Sequence, residues 1–160
     1  MEDVVKSLGY LALGTRLKRL GERLQAQTQV VLAQADLDLP AGHFPVLAAL
    51  DRLGSLNVGE LTGALGVSQP GVTRMLDKLQ SEGLVRSAQS EDDRRVRTIE
   101  LTGPGRQLVS RAKRTVWPRV EAAVADACTE ALLPALAALE QALAQMPLSA
   151  RAEGKKHASA

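Results

Sequence analysis

The run Asn57–Leu79, NVGELTGALGVSQPGVTRMLDKL, constrains the fold more than any other stretch of this chain. Val58, Leu61 and Leu65 recur at three- and four-residue steps, which keeps them on one face of a short helix. Asn57 is a fair N-cap, and Glu60 three residues later completes a capping-box pattern. Gly66 offers the backbone freedom a sharp stop needs, and Val67 is an apolar residue in the turn. Ser68 fits the N-cap of a second helix, with Pro70 in its first turn, where a missing N–H costs little. Val72, Leu76 and Leu79 form that helix's buried stripe, which leaves Gln69, Gly71, Thr73, Arg74 and Lys78 facing outward. Helix, Gly-containing turn and helix with a polar, basic outer face make a helix-turn-helix, whose second helix enters a DNA major groove. Short helical hairpins also occur in all-helical domains with no DNA role, so the flanking sequence has to discriminate.

The segment after the second helix supplies that discrimination. Ser81-Glu82-Gly83 ends the helix, and the hydrophobic period then drops towards two. Leu84–Ser87 reads as a short strand. Val96–Thr102 alternates, with Arg97, Ile99 and Leu101 on one face and Val96, Thr98, Glu100 and Thr102 on the other. Between them lies the charged turn Ser90–Arg95, SEDDRR, which has no apolar anchor. Two strands with a charged tip directly after a helix-turn-helix describe a winged helix. Arg94 and Arg95 at that tip suit phosphate or a minor groove, whose negative potential attracts arginine. Glu91 and Asp92 beside them are unexpected in a DNA contact.

The run His43–Gly105 resembles the MarR family of bacterial transcriptional regulators. The residues that carry the likeness are FPVLAAL, the helix-turn-helix, DKLQSEGLVRS and DDRRVRTIELTGPG. The last segment is the most specific. It holds an Asp-X-Arg at the wing tip (Asp93, Arg95), then an apolar-X-Leu-Thr strand end and a Gly opening the next helix. The resemblance extends over roughly residues 10 to 145. It implies that Arg95 enters the minor groove with Asp93 bracing it. It also implies an obligate homodimer built by N- and C-terminal helices, and a ligand pocket between dimer bundle and DNA-binding lobe.

The remaining sequence fits a mainly α protein. Residues from about 3 to 34 read as one long helix with Leu13, Leu17, Leu20, Leu24 and Val31 in a stripe that must pack on a helix of this chain or of a partner. Tyr10 is expected in the core. Pro40 and Gly42 punctuate a break. A helix from roughly His43 to Leu53 comes next, with Leu47, Leu50 and Leu53 inward. Gly54 is its stop, and Ser55-Leu56 a link that a single strand bridge would suit. Gly103, Pro104 and Gly105 should break the wing strand, with a helix from near Arg106. Pro118 should kink or restart it. Leu132, Leu136, Leu139, Leu143 and Met146 have coiled-coil spacing. The expected divisions are a dimerisation helix over 1–36, a winged helix-turn-helix lobe over 37–104, dimerisation helices over 105–146 and a disordered tail over 147–160.

Chemistry other than DNA binding finds little support. The chain has 160 residues, is 45% hydrophobic but only 2% aromatic, and carries a net charge of +2, so its core is Leu, Val and Ala and its overall charge does not announce nucleic acid. Cys128 is the single cysteine and excludes an internal disulfide. Cys128 and His43 fall on different helices with nothing to orient them, Asp92 and Asp93 lie on a solvated turn, and no metal-ligand spacing or phosphate loop occurs. The chain is therefore read as not an enzyme, with no metal or cofactor. Glu2 and Asp3 replace the basic segment of a secretory leader, and no run has membrane-spanning length, so a cytoplasmic protein without membrane partner is expected.

The expected function is a transcriptional regulator, repressive in output, that binds double-stranded DNA as a homodimer. Ser68, Gln69, Pro70, Gly71, Thr73, Arg74, Lys78, Arg86, Arg94 and Arg95 are its candidate DNA-binding residues. Gln69, Thr73 and Arg74 would reach base edges, Pro70 and Gly71 allow close backbone approach, and Lys78 and Arg86 touch phosphate. Tyr10, Leu13, Leu17, His43, Leu47 and Trp117 are assigned to a pocket for a small apolar or aromatic effector. The alternative is a winged-helix protein-interaction module without sequence-specific DNA binding.

Overall fold

Residues 3–34 do not form the single helix expected of them, although the Leu13–Val31 stripe lies within one helix. In a computed structural model, which describes residues 1–89 and 97–156 with side chains as far as 153, α1 (Val4–Ser7) gives way to a 3-10 turn (Gly9–Ala12) before α2 (Leu13–Ala33). Gly9 sits at φ +56°, a conformation that ends a right-handed helix. Asp3 caps α1 by accepting from the Lys6 N–H, and it also pairs with Arg19 of α2 at 2.9 Å. The break turns Tyr10 outward. It is 94% exposed, not in the core as its residue type suggested.

The chain divides into two compact units, Met1–Val120 and Glu121–Ala160. The first holds a core of Leu32, Leu37, Leu39, Phe44, Val46, Leu47, Leu50, Leu61, Val72, Leu76, Leu79, Val85, Ile99, Leu101, Val109, Ala112 and Val116. α3 (Phe44–Leu53) contributes Phe44, Val46, Leu47 and Leu50. Leu53, expected inward, is 57% exposed, because α3 ends there and Gly54 at φ +84° carries the chain away. α4 (Val58–Leu65) and α5 (Gln69–Ser81) form as the sequence pattern predicts. Both bonds of the Asn57–Glu60 capping box form, at 2.9 and 2.7 Å. Gly66 ends α4 at φ +62°, and Gly83 lies just past α5 at φ +68°. Ser68 is the N-cap of α5 by position, but its hydroxyl makes no capping bond.

The wing is a small antiparallel sheet. β1 (Val85–Gln89) pairs with β2 (Arg97–Leu101), with Val85 opposite Leu101 and Arg86 opposite Glu100. Leu56 bridges the other edge of β2 through two bonds with Ile99, at 3.1 and 2.7 Å, as the link before α4 suggested. Ile99 and Leu101 are buried, on the face assigned from alternation. The wing tip, with Asp93, Arg94 and Arg95, lies outside the described residues.

α6 (Gly103–Thr115) begins three residues earlier than expected, at Gly103. Pro104 does not delay it, since proline is accommodated in a first helical turn. Thr102 is the N-cap: its oxygen accepts from the Gly105 N–H at 3.1 Å and its hydroxyl donates to the Gly83 carbonyl at 2.6 Å. Gly105 lies so close to the Leu84 carbonyl that a Cβ would stand 2.0 Å from its oxygen. Arg111 and Lys113, basic residues on the outer side of α6, tie it to its surroundings. Arg111 donates to the Ala35 carbonyl at 2.5 Å, and Lys113 pairs with Asp51 of α3. Pro118 restarts the chain as α7 (Trp117–Asp126).

In the second unit, α8 (Leu132–Gln145) leads to α9 (Leu148–Lys156), where a disordered tail was expected from residue 147. The extra helix has a local cause. Ala, Leu, Arg, Glu and Lys favour helix, and Arg151 donates to the Ala142 and Met146 carbonyls that close α8. Among the described residues no helix is long and apolar enough to cross a membrane.

Candidate nucleic-acid interface

α5 is built to show one face. Val72 and Leu79 are fully buried and Leu76 nearly so, while Gln69, Pro70, Thr73, Arg74 and Lys78 are exposed. Apolar burial of this stripe fixes the helix against the lobe, and the opposite side is left to water or a partner. Thr73 donates its hydroxyl proton to the Gln69 carbonyl at 3.0 Å, so it offers a base its methyl group and oxygen lone pairs. Gly71 is packed for the turn: a Cβ there would lie 2.8 Å from a Val67 methyl. That contact explains the glycine without reference to DNA.

The cations differ in their surroundings. Among the described residues Arg74 has no carboxylate within ion-pair distance. Lys78 pairs with Glu82 one helical turn on, Nζ to Oε1 2.5 Å. Bonding to that carboxylate raises the Lys78 pKa above its ordinary value. Arg86 pairs across the sheet with Glu100, Nε to Oε1 2.5 Å, and the Ser55 hydroxyl donates to the other oxygen of Glu100 at 3.4 Å. These carboxylate partners were missed by sequence reasoning. The four-residue Lys78–Glu82 spacing was a legible signal. The Arg86–Glu100 pair needed the strand register.

The turn before α3 is pinned by a residue the sequence did not single out. Gln29 of α2 donates to the Leu39 carbonyl at 3.2 Å and accepts from the Ala41 N–H at 2.7 Å. His43 is half-buried beside this turn. Burial lowers its pKa, the Pro40 backbone opposes the shift and the Lys78 charge adds to it, so the neutral form of the imidazole is favoured.

The six residues assigned to an effector pocket differ in exposure. Tyr10 is solvent-exposed, Leu17 is partly so and Leu13 half-buried, while Leu47 is fully buried in the core. Trp117 packs edge-to-face on Phe44 at 6.3 Å. A cleft of about 290 Å³ in the first unit is lined instead by Leu24, Gln25, Thr28, Ala41, Gly42, Pro45, Leu65, Val67 and Met75. None of the six lines it. Its walls come from α2, the turn before α3, the first turn of α3 and the helix-turn-helix, a combination that hydrophobic periodicity cannot reveal.

Comparison with known proteins agrees with this architecture. A sequence model described as MarR family matches residues 39–96. YfiV from Bacillus subtilis (strain 168), an uncharacterized HTH-type transcriptional regulator, is 32% identical over 72 residues, 45% of each chain. The chain matches somewhat less than half the length of the curated relatives it is similar to. Among solved structures, a mutant of MarR from E. coli complexed with operator DNA superposes with a TM-score of 0.71 at 22% identity, over 89% of this chain and 99% of that one. The transcriptional repressor CouR bound to a 23-mer DNA duplex gives a TM-score of 0.66 at 31% identity, over 86% of this chain and 96% of that one.

Proposed function

The chain belongs to the MarR family of transcriptional regulators, and from that premise we propose that it is a repressor that binds a pseudo-palindromic DNA operator as a homodimer. Each α5 enters a major groove, and the two lie about one helical turn or a multiple of that apart. The observation that carries this reading is the division of α5 into a buried Val72, Leu76, Leu79 stripe and an exposed face bearing Gln69, Thr73 and Arg74. Arg74 reads a base, arginine to guanine being the commonest specific contact, and Lys78 and Arg86 meet phosphate. Arg94 and Arg95, with Asp93 in support, reach the minor groove by virtue of their charge and of the family resemblance. Repression is supported by CouR, which is a transcriptional repressor.

Dimerisation is supported by apolar side chains that each unit leaves open. Leu17, Leu20 and Leu24 are exposed on α2, as are Leu132, Leu133 and Leu143 on α8. A second copy of the chain gives both sets an apolar neighbour. The helices before residue 36 and over 105–146 take this role. Control by a small apolar or aromatic effector is supported by the cleft against Val67 and Met75, at the turn and second helix of the helix-turn-helix. A molecule bound there releases DNA only to the extent that it prefers the non-binding arrangement.

Arg74→Ala tests the recognition helix. It is expected to lose about 1–3 kcal/mol on the operator, roughly 5- to 150-fold in affinity, and to tolerate base changes at the contacted position. Fluorescence anisotropy with the operator and single-base variants reads both effects. Unchanged affinity and unchanged base preference would contradict the assignment.

A further inference from the structure

We propose that Glu82 and Glu100 limit sequence-independent DNA affinity by occupying the cations that would otherwise neutralise phosphate. This inference rests on the proposed DNA-binding function and adds two acidic residues to it. Glu82 Oε1 lies 2.5 Å from Lys78 Nζ, at the C-terminal end of α5, and both side chains are close to half exposed. Glu100 Oε1 lies 2.5 Å from Arg86 Nε, in the directly opposed position of the wing sheet. Arg86 is 69% exposed and Glu100 only 28%. The guanidinium thus faces solvent while its carboxylate is held from behind, with Ser55 bonding the second oxygen.

The geometry sets up a competition. A phosphate oxygen that approaches Lys78 or Arg86 meets a cation already satisfied at hydrogen-bond distance. It must displace a carboxylate or sit a few ångströms from a like charge. Binding to arbitrary duplex is driven almost wholly by such cation–phosphate contacts and counterion release. The carboxylates therefore tax the sequence-independent component of affinity. Arg74, assigned to a base edge, has no such partner among the described residues. Lower affinity for arbitrary duplex has a clear use, because non-operator sites vastly outnumber operators.

The test uses the full chain and a duplex of random sequence, titrated by anisotropy across a salt series. Wild type is measured beside Glu82→Gln, Glu100→Gln and the double variant. Glu22→Gln is the control: Glu22 also stands four residues from a lysine, Lys18, at 3.9 Å, but on α2. Each of the first two variants should bind about two- to fivefold tighter at low salt, the range expected from releasing an exposed ion pair. The slope of log affinity against log salt should steepen by about 0.9 per released cation. Glu22→Gln should behave as wild type. Unchanged or weaker binding by Glu82→Gln and Glu100→Gln overturns the inference, since the carboxylates would then be inert or would orient the cations. An equal gain from Glu22→Gln overturns it too, by reducing the effect to net charge. Glu82 is on the surface, so its variant keeps the test valid should Glu100→Gln disturb the wing. Failure of wild type to bind duplex at any salt is a different result, which contradicts the proposed function itself.

Discussion

Gly105→Ala is expected to destabilise the chain by about 3–4 kcal/mol, the upper range for a single substitution with a named steric mechanism. A Cβ at this position would stand 2.0 Å from the Leu84 carbonyl oxygen and 3.3 Å from a Leu101 methyl. The first of these obstacles is backbone and cannot rotate away. Relief requires α6 to move off the segment that joins α5 to β1. That movement breaks the Thr102 bonds to Gly83 and Leu84, which fix the wing to the end of the recognition helix. The melting temperature should fall by roughly 6–16 °C at fixed protein concentration. Gly103→Ala is the comparison, because a Cβ there meets nothing within 4 Å. It should cost less than about 1 kcal/mol. Calorimetry on both variants checks the claim, and equal melting temperatures would contradict it.

The second large effect concerns assembly. Leu132→Asp combined with Leu143→Asp should give a folded monomer and lower operator affinity by at least about 100-fold, the scale on which a linked second contact raises avidity. Both leucines are near 40% exposed in the isolated chain, so a carboxylate at either position remains solvated there. In an apolar seam between two copies the same carboxylates are buried without partners, which dissociates the dimer. Sedimentation with wild type and the double variant reads the mass directly. Circular dichroism verifies that helix content survives. A variant that remains dimeric places the interface elsewhere.

The legible parts of this protein are those whose physics is local. The α4–turn–α5 stretch is specified by a capping box, a left-handed glycine and two apolar stripes, all within a few residues of one another. Alternation marks the wing strands, and even the Leu56 bridge is signalled by the short link before α4. The sequence misleads where the deciding contact is distant along the chain. Gly105 reads only as a breaker of the wing strand until the Leu84 carbonyl is seen against it. Nothing near Arg111 and Lys113 in the chain announces their partners Ala35 and Asp51, which lie more than sixty residues away. Tyr10 reads as core because nothing nearby announces that Gly9 adopts a positive φ. The candidate site divides in the same way. The exposed face of α5 is visible from helical periodicity, whereas Glu100 becomes a partner of Arg86 only through strand register. None of the six effector residues lines the cleft against Val67 and Met75, and walls drawn from segments far apart along the chain leave no periodic trace.

Selection of bound duplexes from a random pool, using the intact chain, puts the paired recognition helices themselves on trial. A two-fold symmetric consensus is expected, with half-sites centred about one helical turn or a multiple of that apart. The same selection with Arg74→Ala should lose preference at a symmetric pair of positions. An asymmetric consensus, or no enrichment over the starting pool, would contradict a dimer that reads DNA through paired α5 helices.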